Sequence, residues 1–222
     1  FMFGNQQFIK DDINCQKTYP YEKDMKRILD NIKDAKTQSD YVLVSIHSHQ
    51  FAEEDKSKPA EFLQTFAKSC IDAGASAVIG HGPHIVRGIE LYHGGVIFYS
   101  LGNFLFENDT VTHLPADFYE NRGLDLNTKV GAGLDDGSKN NTIGLGVNPE
   151  VWRSVIASWE AEDGKIKEIR LYPIELGFEL PRYRKGLPAL TKDTGVLTHL
   201  MELSEPFGTK IKIENGIGVI QL

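Results

Sequence analysis

The chain has 222 residues, 41% hydrophobic and 25% charged, with a formal net charge of -7. That is globular composition, with enough chain for one large domain and a sizeable core. It excludes a nucleic-acid surface, which needs a basic stripe to meet phosphates. No apolar run approaches the roughly 20 residues of a membrane helix, and no secretory signal is expected.

Residues 1–20 are of mixed polarity, with a short strand expected at Phe1–Phe3. Met25, Ile28, Leu29 and Ile32 recur at helical spacing within Tyr21–Lys36, and Glu22 precedes Lys26 by four residues. This predicts an amphipathic helix covering a sheet. Tyr41–Ile46 is apolar without alternation, so it reads as a strand buried on both faces. It ends in His47-Ser48-His49-Gln50.

Phe51–Lys58 reads as a charged loop. Pro59 suits the first turn of a helix running to about Ala73, with Gly74 as its stop. Ala77–Ile79 is then a strand parallel to Tyr41–Ile46, reached by a right-handed crossover. It ends in Gly80-His81-Gly82-Pro83-His84. Ile85–Leu91 is expected to be extended and to turn at Tyr92-His93-Gly94-Gly95 into strand Val96–Ser100, which runs into Leu101-Gly102-Asn103.

Residues 107–150 are polar and glycine-rich, with no sustained period. They are expected to form a lid or specificity loop of little regular structure beside the histidines. Val151–Trp159 and Ile166–Glu175 should pair around Asp163-Gly164. Thr194–Leu203 reads as a helix, and Thr209–Ile213 with Gly218–Leu222 as a terminal hairpin about Asn215-Gly216.

Three strand ends thus deliver His47, His49, His81, His84 and Asn103. Neutral imidazole is the commonest nitrogen ligand for transition metals, and His47 and His49 share one side of an extended segment. Gly80 and Gly82 let backbone approach a ligand closely. Asn103 can bind a metal or a phosphoryl oxygen, or satisfy its own turn. Arg87 and Glu90 lie on alternating sides of Ile85–Leu91 and read as exposed, as an ion pair supporting the site, or as substrate-binding groups. His93, His113 and His199 lie in turn, loop and helix contexts and carry no such reading. Cys15 and Cys70 permit a disulfide, although Cys70 sits among apolar helix positions and reads as a buried thiol. No Walker loop, dinucleotide fingerprint or G-x-S-x-G turn occurs.

The stretches V-S-I-H at 44–47, I-D-A-G-A at 71–75, G-H-G-P-H at 80–84, G-I-E at 88–90 and I-F-Y-S-L-G-N-F at 97–104 resemble the CapA family of bacterial capsule-synthesis, poly-γ-glutamate-biosynthesis proteins. L-P-A-D-F-Y at 114–119, V-W-R-S-V at 151–155 and L-S-E-P-F-G-T at 203–209 extend the resemblance over nearly the whole chain.

The resemblance implies an α/β fold of the calcineurin-like metallophosphoesterase type. That is an αββα sandwich, present here as its C-terminal portion and closed by a C-terminal β-hairpin. It implies a site for one or two divalent cations (Mn, Zn, Fe or Mg) held by His47, His81 and His84, which His49 would join from its place beside His47, with His47, His84 and Asn103 catalytic. It implies an anionic small-molecule or polymer substrate, capsule-synthase membrane proteins as partners, and an extracytoplasmic or membrane-associated location. The chain departs from the family pattern in His47-Ser48-His49-Gln50, where many relatives have H-W-G and an acidic residue. It also lacks the family's N-terminal aspartate and asparagine-histidine blocks. Two functions follow: metal-assisted hydrolysis of a phosphoester, or non-catalytic binding of poly-γ-glutamate or the synthase complex during capsule assembly.

Overall fold

The computed structural model describes residues 1–3, 6–10, 12, 16–107 and 110–222. Cys15, and any disulfide it would make, lies outside them. The chain opens with the short antiparallel pair β1 (Met2–Phe3) and β2 (Gln6–Gln7), then α1 (Glu22–Gln38) and β3 (Leu43–His47). The hairpin β4 (Phe51–Ala52) and β5 (Asp55–Pro59) leads into α2 (Glu61–Asp72), β6 (Ala77–His81), β7 (Val86–Tyr92) and β8 (Gly95–Leu101). After α3 (Ala116–Glu120) and α4 (Val130–Gly137) come β9 (Arg153–Glu162), β10 (Lys165–Glu175), β11 (Ala189–Leu190) and α5 (Gly195–Ser204). The terminal hairpin is β12 (Lys212–Glu214) and β13 (Ile217–Gln221).

The first sheet has the order β3-β6-β8-β7. Strands β3, β6 and β8 are parallel, and β7 returns antiparallel to β8. Helix α2 makes the expected crossover between β3 and β6. The register sets Leu43 against Ala77 and His47 against His81, so the two strands end side by side. One face of this sheet packs on α1 and α2 through Ile32, Leu63, Phe66, Cys70, Val78 and Ile97. Its other face meets the second sheet and α5 through Ile89, Phe98, Ile169, Leu171, Leu197 and Leu200.

In the second sheet, β10 pairs with β9, β11 and β13, and β12 lies beyond β13. Its β9 strand also carries Ile156, Ser158 and Glu160, which are exposed. The layers described are helix, sheet and sheet. The mixed α/β class therefore holds, and the second helical layer of an αββα sandwich is not among the layers described.

Several local expectations change. Strand β3 is an edge strand, and its Leu43, Ser45 and His47 are exposed while Val44 and Ile46 face the helices. A short apolar run does not reveal that one neighbour is missing. Phe51–Lys58 is a hairpin because Glu53 (φ 54°) and Glu54 (φ 61°) both take the left-handed turn conformation. Glycine or asparagine usually signals such a turn, so the sequence gives no warning. Pro59 ends β5, two residues before α2 begins. On α1, Lys26 pairs with Asp30 at 2.6 Å, one turn further on than Glu22.

Residues 107–150 hold two short helices where no period was visible. The glycines there serve packing: a methyl group on Gly133 would meet Leu114, Phe118 and Tyr119 at 3.2–3.5 Å. The terminal hairpin turns at Asn215 (φ 51°) and Gly216 (φ 83°), as its Asn-Gly signal predicts.

Candidate functional site

At the ends of β3 and β6 the histidines form a row. Ser45 Oγ lies 2.9 Å from His81 Nε2, His81 Nδ1 lies 3.0 Å from His47 Nδ1, and His47 Nε2 lies 3.0 Å from His49 Nε2. The His84 ring continues the row, its centroid 5.8 Å from that of His49. The parallel register explains the first links: His47 and His81 are partners across the strands, and Ser45 shares the side of His47 by alternation. Each nitrogen–nitrogen contact holds one proton. With three neutral rings, the protons therefore point along the row in one direction, toward Ser45 or toward His49. Burial, and then the neighbouring His47, hold the His81 pKa below the usual histidine value, favouring the neutral ring.

The turn after β6 sets the far end. Gly82 (φ 119°) leaves room for His47: a methyl group there would lie 3.1 Å from the imidazole. His84 is left-handed at φ 65°. Its Nδ1 lies 2.9 Å from Oδ1 of Asn103. The amide nitrogen of Asn103 donates to Val151 O at 3.0 Å and to His84 O at 3.4 Å. That orientation leaves Oδ1 as the acceptor, so Nδ1 of His84 carries the proton and Nε2 keeps a free lone pair. A fixed tautomer of this kind is what a metal-binding or proton-accepting histidine requires.

Arg87 and Glu90 are committed to the protein. Arg87 is fully buried, and its guanidinium donates to Lys56 O at 2.9 Å and His49 O at 3.4 Å. Burial pulls its pKa down to about 10, with Asp55 opposing. Arg87 thus anchors the backbone of His49 and the β4–β5 hairpin. Glu90 accepts from Tyr99 Oη at 2.7 Å and pairs with Lys68 at 3.0 Å, against α2. The anticipated Arg87–Glu90 pair is replaced by these partners. His93 bonds Asp72, His113 bonds Thr112 and His199 faces Glu202, all apart from the row.

Neutral imidazoles are the right donors for a divalent transition metal, and 3.0 Å between His47 Nε2 and His49 Nε2 suits neighbouring ligands each about 2.0–2.1 Å from one cation. The set is incomplete as it stands. Among the described residues no group of three or more His, Cys, Asp or Glu is arranged to hold a metal ion. The physical reason is the row itself. His47 directs its two nitrogens at different partners, so the expected ligands form a line where a cage was anticipated.

Sequence reasoning brought together His47, His49, His81, His84 and Asn103, and it missed Ser45, Phe106 and Trp152. Ser45 was findable from its two-residue offset to His47. The Phe106 ring packs on His84 at 5.4 Å and on Trp152 at 5.4 Å. That contact joins both ends of residues 107–150 to the site, and no local pattern announces it.

These features define a mixed α/β protein whose parallel strands end in a histidine site. The family model of the bacterial capsule synthesis protein PGA_cap matches residues 4–108, a span holding all four histidines and Asn103. The chain is 38% identical over 213 residues to the uncharacterized protein y4sH of Sinorhizobium fredii, covering 90% of this chain and 45% of that one. It is 43% identical over 76 residues to the PGA biosynthesis protein CapA of Bacillus subtilis, covering 34% and 19%. The capsule biosynthesis protein CapA of Bacillus anthracis is 42% identical over 72 residues, 32% of this chain and 17% of that one. Over residues 4–108 the chain is similar to the CapA family of bacterial capsule synthesis proteins. It spans about half the length of y4sH. Among the described residues no helix is long and apolar enough to cross a membrane.

Proposed function

We propose that this chain carries the histidine part of a metal-dependent hydrolase site, of phosphoesterase type, serving capsule synthesis. The observation that carries the reading is the Asn103–His84 lock at the end of a row of imidazoles. It prepares one lone pair and holds it in the half-buried turn after β6. His47, His49, His81 and His84 would hold one or two divalent cations, of Mn, Zn, Fe or Mg. A divalent cation bound there supplies Lewis acidity and lowers the pKa of water toward about 7. Asn103 orients His84, Gly82 admits the His47 ring, and Arg87 fixes the backbone of His49. Imidazoles leave a dication's charge uncompensated, so tight binding calls for carboxylate ligands beyond the row.

The substrate in this reading is an anionic small molecule or polymer, with poly-γ-glutamate the polymer named for the family. The partners are capsule-synthase membrane proteins, at an extracytoplasmic or membrane-associated location. The mutual pairing of the histidines favours a second reading, a non-catalytic assembly factor that binds polymer or synthase at the same place.

Metal analysis of the full-length protein after loading with Mn or Zn, alongside its hydrolysis of bis(p-nitrophenyl) phosphate, separates the two. The hydrolase reading expects stoichiometric metal and turnover, both lost in His81→Ala and His84→Ala. Metal-free protein, or turnover unchanged by both substitutions, leaves the assembly-factor reading.

A further inference from the structure

A cavity of about 380 Å³ opens beside the row, lined by Phe106, Glu107, Trp152, Arg182, Tyr183 and Lys185 among others. Phe106 is the shared wall, since its other side packs on His84. The volume lies near the lower end of small-molecule sites, about 300–1,000 Å³. Beneath it Trp152 is flanked by Phe106 and Phe178, with ring centroids 5.4 and 6.4 Å away. Two features mark the cavity as more than a packing gap. Trp152 is 5% exposed, yet its indole N–H has no hydrogen-bond partner, and an orphaned buried donor is costly. Lys185 Nζ stands 4.9 Å from the Trp152 ring and 5.0 Å from the Phe178 ring, with no acidic partner among the described residues.

Charge narrows the ligand. Arg182 is paired with Asp135, which leaves Lys185, among the described lining residues, as the cation for a ligand anion. Glu107, half-buried on the same lining, has no hydrogen bond or ion pair among the described residues. One cation and one carboxylate suit a ligand with one carboxylate and one N–H donor. They oppose a run of carboxylates or a phosphate dianion, which would face Glu107 without compensation.

We propose that this cavity binds a short peptide-like ligand, of dipeptide size, with its carboxylate on Lys185 beside the Trp152 ring and its amino or amide N–H toward Glu107. The ligand lies on the far side of Phe106 from His84, so the cavity selects the end group of whatever reaches the row. The inference depends on neither metal nor turnover.

The test is titration of the isotopically labelled chain, read at the indole N–H signals of Trp152 and Trp159. Trp159 packs on Phe98 in the core and serves as the internal control. Alanyl-alanine should move the Trp152 signal saturably and leave Trp159 in place. Alanyl-alanine amide, and alanyl-alanine on Lys185→Met, should bind at least fivefold more weakly, while Lys185→Met keeps the chain's dispersed spectrum. His81→Ala should bind alanyl-alanine as the parent does, which separates this inference from the hydrolase reading. The inference is overturned if alanyl-alanine moves neither signal, if Lys185→Met binds as the parent does, or if inorganic phosphate or hexaglutamate saturates the Trp152 signal at equal or lower concentration.

Discussion

The Nδ1 atom of His84 lies 2.9 Å from Oδ1 of Asn103, while the amide nitrogen of the same residue holds Val151 O at 3.0 Å. One side chain therefore ties the turn after β6, the end of β8 and the entry to β9, and sets a tautomer at the same time. Asn103→Ala should cost about 1–3 kcal/mol, because it strands partly buried carbonyls. Nitrogen chemical shifts of the His84 ring should report Nδ1–H alone in the parent and a mixture of tautomers in the variant. A single unchanged tautomer in Asn103→Ala would mean that something other than Asn103 sets it.

Gly82 has φ 119°, and its missing side chain is where the His47 ring sits. Gly82→Ala must strain the backbone and push the imidazole aside. A loss of about 1–3 kcal/mol is expected, with the His47 and His81 ring signals shifted together because the two are bonded at 3.0 Å. Gly94 has φ 85° but nothing within 4 Å of an added methyl. Gly94→Ala should therefore show only the backbone cost and leave the histidine signals in place. Equal histidine shifts in both variants would refute the steric account.

The parallel pair and its histidines were legible because each strand is a short apolar run closed by a glycine turn, and because register in a parallel pair carries residue 47 to residue 81. The hairpin at Glu53 and Glu54 was illegible, since both residues take a backbone conformation their side chains do not advertise. The edge position of β3 and the Phe106–Trp152 contact depend on which elements meet across long stretches of sequence. Arg87 was noticed as a charge. Its full burial beneath His49 depends on the β4–β5 hairpin, whose Lys56 carbonyl it binds.

Glu90 sits between Tyr99 Oη at 2.7 Å and Lys68 Nζ at 3.0 Å, and it is nearly buried. Burial, and then the bond to Glu90, raise the Tyr99 pKa and keep the phenol a donor. The two ends should respond unequally. Tyr99→Phe removes one donor and leaves Glu90 with Lys68, for about 1 kcal/mol. Glu90→Ala strands both a buried hydroxyl and a lysine, for about 3 kcal/mol, the lower end for a broken buried pair. Urea unfolding of the two variants measures the difference, and equal losses would show that the lysine contact contributes nothing.

Cys70 is fully enclosed between α2 and the first sheet, and burial pushes its thiol from the ordinary 9.0 up to about 12. The unfolded chain releases this proton near pH 9 while the folded chain keeps it. Between those values the unfolded state binds fewer protons, so stability must fall as pH rises. The contribution is full below about pH 9 and is lost progressively toward pH 12. Tyr99 adds a loss of the same sign, since its phenol is also raised by burial. Urea midpoints measured from pH 7.5 to 10 should therefore decline above pH 9. In Cys70→Ala the decline should be shallower, with the tyrosine part from Tyr99 and Tyr92 remaining, and the whole curve should sit lower because a buried group has been removed from the α2 contact. Iodoacetamide at pH 8 should leave Cys70 unmodified in the folded chain and alkylate it after unfolding in urea, read from the mass of the peptide that contains it. Rapid alkylation of folded protein, or parallel pH curves for parent and variant, would contradict the buried-thiol account.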